Sequence, residues 1–84
     1  MVFYFYILYS NKLDRFYLGH TGDSLDERLK KHLSNHKGFT SRAKDWEVCY
    51  FETFSAKSLA YQRELQVKRM KSRKYIENLL AIRG

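Results

Sequence analysis

The run Phe3-Tyr4-Phe5-Tyr6-Ile7-Leu8-Tyr9 decides the fold. Its alternate residues fill two faces, Phe3, Phe5, Ile7 and Tyr9 on one and Tyr4, Tyr6 and Leu8 on the other. A strand that is apolar on both faces is expected to be covered on both, which places this segment at the centre of a sheet. Ser10 to Asp14 then reads as a turn and Arg15 to Gly19 as the returning strand of a hairpin with a loop of ordinary length. Ser24-Leu25-Asp26-Glu27 matches a capping box, in which the Ser24 hydroxyl and the Glu27 carboxylate satisfy free amides at a helix start. Leu25, Leu29, Leu33 and His36 follow at helical spacing, and Lys37-Gly38 supplies a cation and a left-handed residue for the stop.

Phe39 to Asp45 reads as a basic loop, and Glu47 to Phe54, aromatic and β-branched, as a third strand. Ser55 is placed to cap a helix from Ala56 to about Met70. A kink is expected at Lys71 to Lys74, before a last helical piece from Tyr75 to Ile82. The order β-β-α-β-α-α belongs to the α+β class, with a small three-stranded antiparallel sheet flanked by helices.

A chain of 84 residues buries roughly 60% of the surface its unfolded form exposes, so its core must be compact. Thirteen Phe and Tyr plus Trp46 suit that need. With no proline, repeat or low-complexity tract, residues 1–84 are expected to form one domain. The lone Cys49, between Val48 and Tyr50, reads as a reduced thiol buried in a strand, and a cytoplasmic setting is expected from it. The apolar run Val2 to Tyr9 is too short to span a bilayer and lacks the basic start and cleavage site of a signal peptide.

The net charge of +7 is unevenly placed. Residues 1–55 carry eight basic and seven acidic side chains, whereas 56–84 carry eight basic and two acidic. A basic helical end suits a polyanion such as nucleic acid, through phosphate neutralisation and counterion release. Charge alone fits a solvated helix face equally well.

Several residues are suited to phosphodiester hydrolysis, which needs an attacking water, a group to take its proton, cationic help and usually a divalent metal. In the hairpin Tyr6 and Tyr17 lie on neighbouring strands, so their phenols can share one patch. A phenol titrates near 10 and serves as a base at neutral pH only if cations or a metal lower it. Most tyrosines are core filler with a wet tip, and Tyr4, Tyr9, Tyr50, Tyr61 and Tyr75 are read so.

Arg28 and His32, four residues apart, share a face of the capped helix beside the Leu25/Leu29/Leu33 stripe. An Arg28 pair with Asp26 or Glu27, and a structural His32, stay open at this point. Glu64 lies at the margin of an Ala56, Leu59, Ala60, Val67 and Met70 stripe and is one of two acids in the final third. A surface pair with Arg63 or Lys68 competes with a metal-ligand role for it, and Arg63 inside that stripe has no account in periodicity. His20 and His36 show no pattern that marks a zinc site.

In order and spacing, Tyr4-Phe5-Tyr6, Tyr17-Leu18-Gly19, Arg28, His32 and the Ala60 to Lys68 run around Glu64 resemble the GIY-YIG nuclease family, compact single-domain members in particular. The likeness runs from about Phe3 to Leu80. Tyr4-Phe5-Tyr6 stands where Gly-Ile-Tyr is expected, while the second triplet differs only by Leu for Ile. The resemblance implies a three-stranded sheet with the first strand central. It also implies a divalent-metal-dependent DNA endonuclease, with repair or recombination as its setting and RNA not excluded as substrate.

In that family pattern Tyr6 acts as, or activates, the general base. Tyr17 and His32 arrange its network, Arg28 holds the phosphate and Glu64 binds Mg²⁺ or Mn²⁺. A lone carboxylate suits magnesium, which keeps most of its water. Lys68, Arg69, Lys71, Arg73 and Lys74 would hold the DNA backbone, giving affinity without reading sequence. Asn78 is the only later asparagine where many members carry one after the glutamate. The rival readings are a nucleic-acid-binding module that kept the fold and lost turnover, and an interaction domain that binds neither DNA nor metal.

Overall fold

The computed structural model describes residues 1–34 and 38–83, apart from the side chains of Phe39 and Arg83. Strands β1 (Phe3–Ser10), β2 (Arg15–Thr21) and β3 (Glu47–Phe54) form one antiparallel sheet in the order β2-β1-β3. The helices are α1 (Leu25–Ser34), α2 (Lys57–Met70) and α3 (Arg73–Arg83), with a short 3₁₀ turn at Phe39–Arg42. The expected α+β class and the central first strand are both found.

The two faces of β1 nucleate two cores. Phe5 and Ile7, fully buried, pack with Tyr50, Val67 and Ile76 under α2 and α3. Tyr6 and Leu8 pack on the opposite side with Ala43 and Trp46, and Leu25, Leu29 and Leu33 of α1 cover them. Sheet alternation thus sends adjacent residues of β1 into different cores.

Local signals act unevenly. The Ser24 Oγ accepts from the Glu27 amide at 3.1 Å and starts α1, while the Glu27 carboxylate leans toward Lys30 at 3.9 Å. His36 and Lys37, expected at the end of that helix, lie outside the described residues. Ser55 does not cap α2. Ala56 holds the N-cap position, its carbonyl taking the amides of Leu59 and Ala60, which leaves Ser55 one residue too far out. The expected kink is a full break: Lys71 turns left-handed (φ 46°), and the Ser72 hydroxyl accepts from the Tyr75 amide, so α3 starts two residues before Tyr75.

The basic loop is also partly core. Thr40, Ala43 and Trp46 are buried, and the Trp46 indole donates to the Thr40 carbonyl at 2.9 Å. The Asp45 carboxylate accepts from the Ser10 hydroxyl (2.6 Å) and the Lys12 amide (2.8 Å), which hold it below the usual carboxylate range and tie the loop to the hairpin turn. Cys49 is only partly buried. Its thiol, pushed up to about 11 by burial, donates to the Ile7 carbonyl. No described helix is long and apolar enough to cross a membrane.

Because Trp46 fills the core under α1 and also holds Thr40, Trp46→Ala is expected to cost about 3–5 kcal/mol. Urea unfolding followed by circular dichroism measures this. A loss under 1 kcal/mol would show that the loop is not part of the core.

Candidate active site

Strand register builds the first half of the site. Tyr6 stands opposite Gly19 and Leu8 opposite Tyr17, so Tyr6, Tyr17 and Gly19 share the face under α1. The missing side chain at Gly19 is required: a Cβ there would lie 2.6 Å from Tyr6 Cζ and closer still to the hydroxyl. Arg28 and His32, one turn apart on α1, reach down to this phenol. Arg28 Nε donates to the Tyr6 oxygen at 3.2 Å, and His32 Nε2 lies 2.8 Å from it. His32 Nδ1 is 3.2 Å from Thr40 Oγ1, and the Tyr17 ring meets His32 edge-on at 4.9 Å.

Proton directions follow from what each group can do. Arginine only donates, so the Tyr6 oxygen accepts from Arg28 and its own proton goes to His32 Nε2. That leaves the His32 proton on Nδ1, donated to Thr40. Burial, with a smaller contribution from Arg28, lowers the His32 pKa below 6.5 and keeps the ring neutral at physiological pH. Burial likewise raises the Tyr6 pKa above 10, and the Arg28 hydrogen bond only partly offsets it. The free protein therefore holds Tyr6 as a phenol beside a neutral imidazole acceptor.

The second half lies on α2. The exposed Leu59 and Met70 leave the expected apolar stripe, and the buried line is Ala60, Glu64 and Val67. Glu64 is central to that line, not marginal, and 7% exposed. Arg63 beside it grips Glu52 of β3 with two nitrogens, at 3.0 and 3.1 Å, over the Phe5 ring. That accounts for a cation on a helix face turned to the sheet. Both Glu64 oxygens are engaged, Oε1 by His20 Nδ1 at 2.7 Å and Oε2 by Lys68 Nζ at 2.6 Å.

The sequence pattern offers no partner for His20. Its place directly after Gly19, opposite Phe5, turns it to the α2 side, which is the signal alternation offered. Thr40 had no such signal. Tyr6, Tyr17, Arg28 and His32 come together under α1, whereas Glu64 and His20 form a group on the α2 side. One cleft of about 520 Å³ at the β2 edge, lined by Phe3, His20, Thr21, Asp23, Arg28 and Lys57 among others, takes Arg28 from the first group and His20 from the second, while Tyr6, Tyr17 and Glu64 do not line it. The Glu64 charge also acts on Tyr6, helping to raise its pKa.

Among the described residues no three His, Cys, Asp or Glu cluster to hold a metal. A lone carboxylate such as Glu64 suits a hydrated hard cation, but its Oε2 is held by the Lys68 ammonium, which such a cation would have to displace. Of the other basic residues, Arg73 pairs with Asp14 at 2.6 Å and Glu77 at 3.1 Å, docking α3 on the hairpin. Arg69 borders a groove with Phe54 and Leu59, and Lys71, Lys74 and Asn78 are exposed.

The profile of the GIY-YIG catalytic domain matches residues 2–76, and the chain belongs to this nuclease family. It is similar to the solution NMR structure of the UPF0213 protein BH0048 from Bacillus halodurans, at 32% identity and a TM-score of 0.62, covering 100% of this chain and 87% of that one. No functionally curated protein matches the chain.

Gly19→Ala forces the Tyr6 phenol to move and is expected to destabilise by about 1–3 kcal/mol. An unchanged urea midpoint and an unshifted Tyr6 hydroxyl environment by NMR would disprove the close approach. The lowered His32 pKa sets a pH dependence as well. The unfolded chain binds that proton near 6.5 and the folded protein only below it, so stability is complete above 6.5 and declines as pH falls toward the folded value. Thermal midpoints below pH 6.5 should fall less steeply in His32→Gln than in the wild type; parallel curves would place the linkage elsewhere.

Proposed function

We propose that the protein is a divalent-metal-dependent endonuclease that hydrolyses phosphodiester bonds in DNA, in repair or recombination. The observation that supports this best is the chain of contacts Arg28, Tyr6, His32 and Thr40, whose Arg28 opens on the same cleft as the partner of Glu64. Arg28 spends Nε on Tyr6 and offers the rest of its planar guanidinium to a phosphate. An attacking water gives its proton to the Tyr6 oxygen while the phenolic proton passes to His32 Nε2, converting the neutral ring to imidazolium; the new oxygen–phosphorus bond forms as the bond to the leaving oxygen breaks, and that oxygen takes its proton from solvent. Thr40 keeps the imidazole in the tautomer this transfer needs, and Tyr17 packs against the ring.

Glu64 would hold the metal, with Lys68 displaced from Oε2 and His20 keeping Oε1 oriented. A bound Mg²⁺ or Mn²⁺ supplies positive charge for the phosphate oxygens and the leaving group. Lys68, Arg69, Lys71 and Lys74 contribute long-range attraction for the DNA backbone, and Arg73 does so only in competition with Asp14 and Glu77.

One observation favours a binding module without turnover. Tyr4, at the place of the family's first glycine, puts a ring 5.9 Å from Phe51 on the Tyr6 face of β1. Nicking of supercoiled and branched DNA with Mg²⁺ or Mn²⁺, against chelator, separates the two. Tyr6→Phe and Glu64→Gln are each expected to lower cleavage by about 10²- to 10⁴-fold with DNA binding retained. Cutting by both variants at the wild-type rate would refute this mechanism, and a wild type that binds DNA but never cuts would leave the binding module.

A further inference from the structure

The cleft continues past Arg28. His20 and Lys57, two of its wall residues, also line a shallower depression of about 360 Å³ with Ser58 and Tyr61. Tyr61 is 46% exposed, and its ring lies 5.0 Å from His20 at an interplanar angle of 51°. A single exposed aromatic ring on a small protein needs no special reason. This one stands on α2 one turn before Glu64, an axial rise of about 4.5 Å, next to a cationic wall continuous with the phosphate cleft. His20 joins the two: it lines the cleft together with Arg28, and its ring lies against Tyr61.

We propose that Tyr61, backed by His20, is a stacking platform for an unpaired nucleobase of the strand being cut, and that the preferred substrate is DNA with a single-stranded segment at the scissile phosphate. The proposal rests on the endonuclease reading for the phosphate's position. Its physical basis is that an aromatic face can take the face of a base only when the base has left its neighbours. A base inside continuous duplex has both faces covered. Lys57 at the rim neutralises the adjoining phosphate, and because every base has a π-face the platform selects DNA structure, not sequence.

The test uses Glu64→Gln protein, expected to hold DNA without cutting, and a short flapped duplex carrying 2-aminopurine at the first unpaired position, beside a fully paired duplex of the same sequence. Quenching of the flap fluorescence by the protein is expected. Adding Tyr61→Leu, which keeps the apolar bulk and removes the ring, should weaken flap binding by about 5- to 150-fold while leaving duplex binding unchanged. Tyr61→Phe should keep both. Equal loss on flap and duplex, or no loss on either in a protein folded by circular dichroism, would overturn the platform. Wild-type protein that quenches and prefers the flap but cuts nothing with any metal would leave the platform standing and remove the endonuclease reading.

Discussion

The Tyr6 phenol occupies the space that a side chain at position 19 would fill, and the remainder of the site is arranged around that close approach. Sheet pairing sets Gly19 directly opposite Tyr6, so the oxygen lies against the edge strand within reach of α1. There it receives one hydrogen bond from Arg28 and gives one to His32. Burial works against ionising either the phenol or the imidazole. The result is a neutral phenol hydrogen-bonded to a neutral imidazole beside a permanent positive charge, with burial opposing the charged form of both rings.

A second constraint acts on α2. A buried carboxylate needs partners, or its desolvation is uncompensated. Glu64 sits between Ala60 and Val67 on the line pressed to the sheet, and His20 and Lys68 satisfy its two oxygens. The two-pronged Arg63 to Glu52 contact, with the Tyr50 hydroxyl donating to the same carboxylate, fixes the rotation of the helix from the neighbouring position. Turned by one residue, α2 would present Arg63 or Leu65 in place of Glu64. The ion pair on β3 thus bears on the site without belonging to it.

The basic end of the chain serves two purposes. Arg73 reaches 59 residues back to the hairpin turn and lies 5.2 Å over Phe16, so part of the charge excess closes the fold. Such exposed pairs contribute little each, and a polyphosphate can compete for their cations. Lys71, left-handed at the break between helices, and Lys74 after it stay exposed.

The sequence by itself determined the elements: a first strand apolar on both faces must be central, the Ser24 cap starts α1, and the triplets, Arg28, His32 and Glu64 carry the family. These are local or periodic properties, and they survive folding. It did not determine which groups meet. Ser55 lost the α2 cap because the helix begins one residue later, and the loop over Phe39 to Asp45 joined the core because Trp46 needed a cover. The Lys68 partner of Glu64, four residues on, was legible as a helical pair, but its other partner His20 lies 44 residues away and the Thr40 partner of His32 lies 8 away in another element. No pattern along the sequence encodes such distances. The tertiary structure decided them by setting the register of β2 against β1 and the rotation of α2 on the sheet.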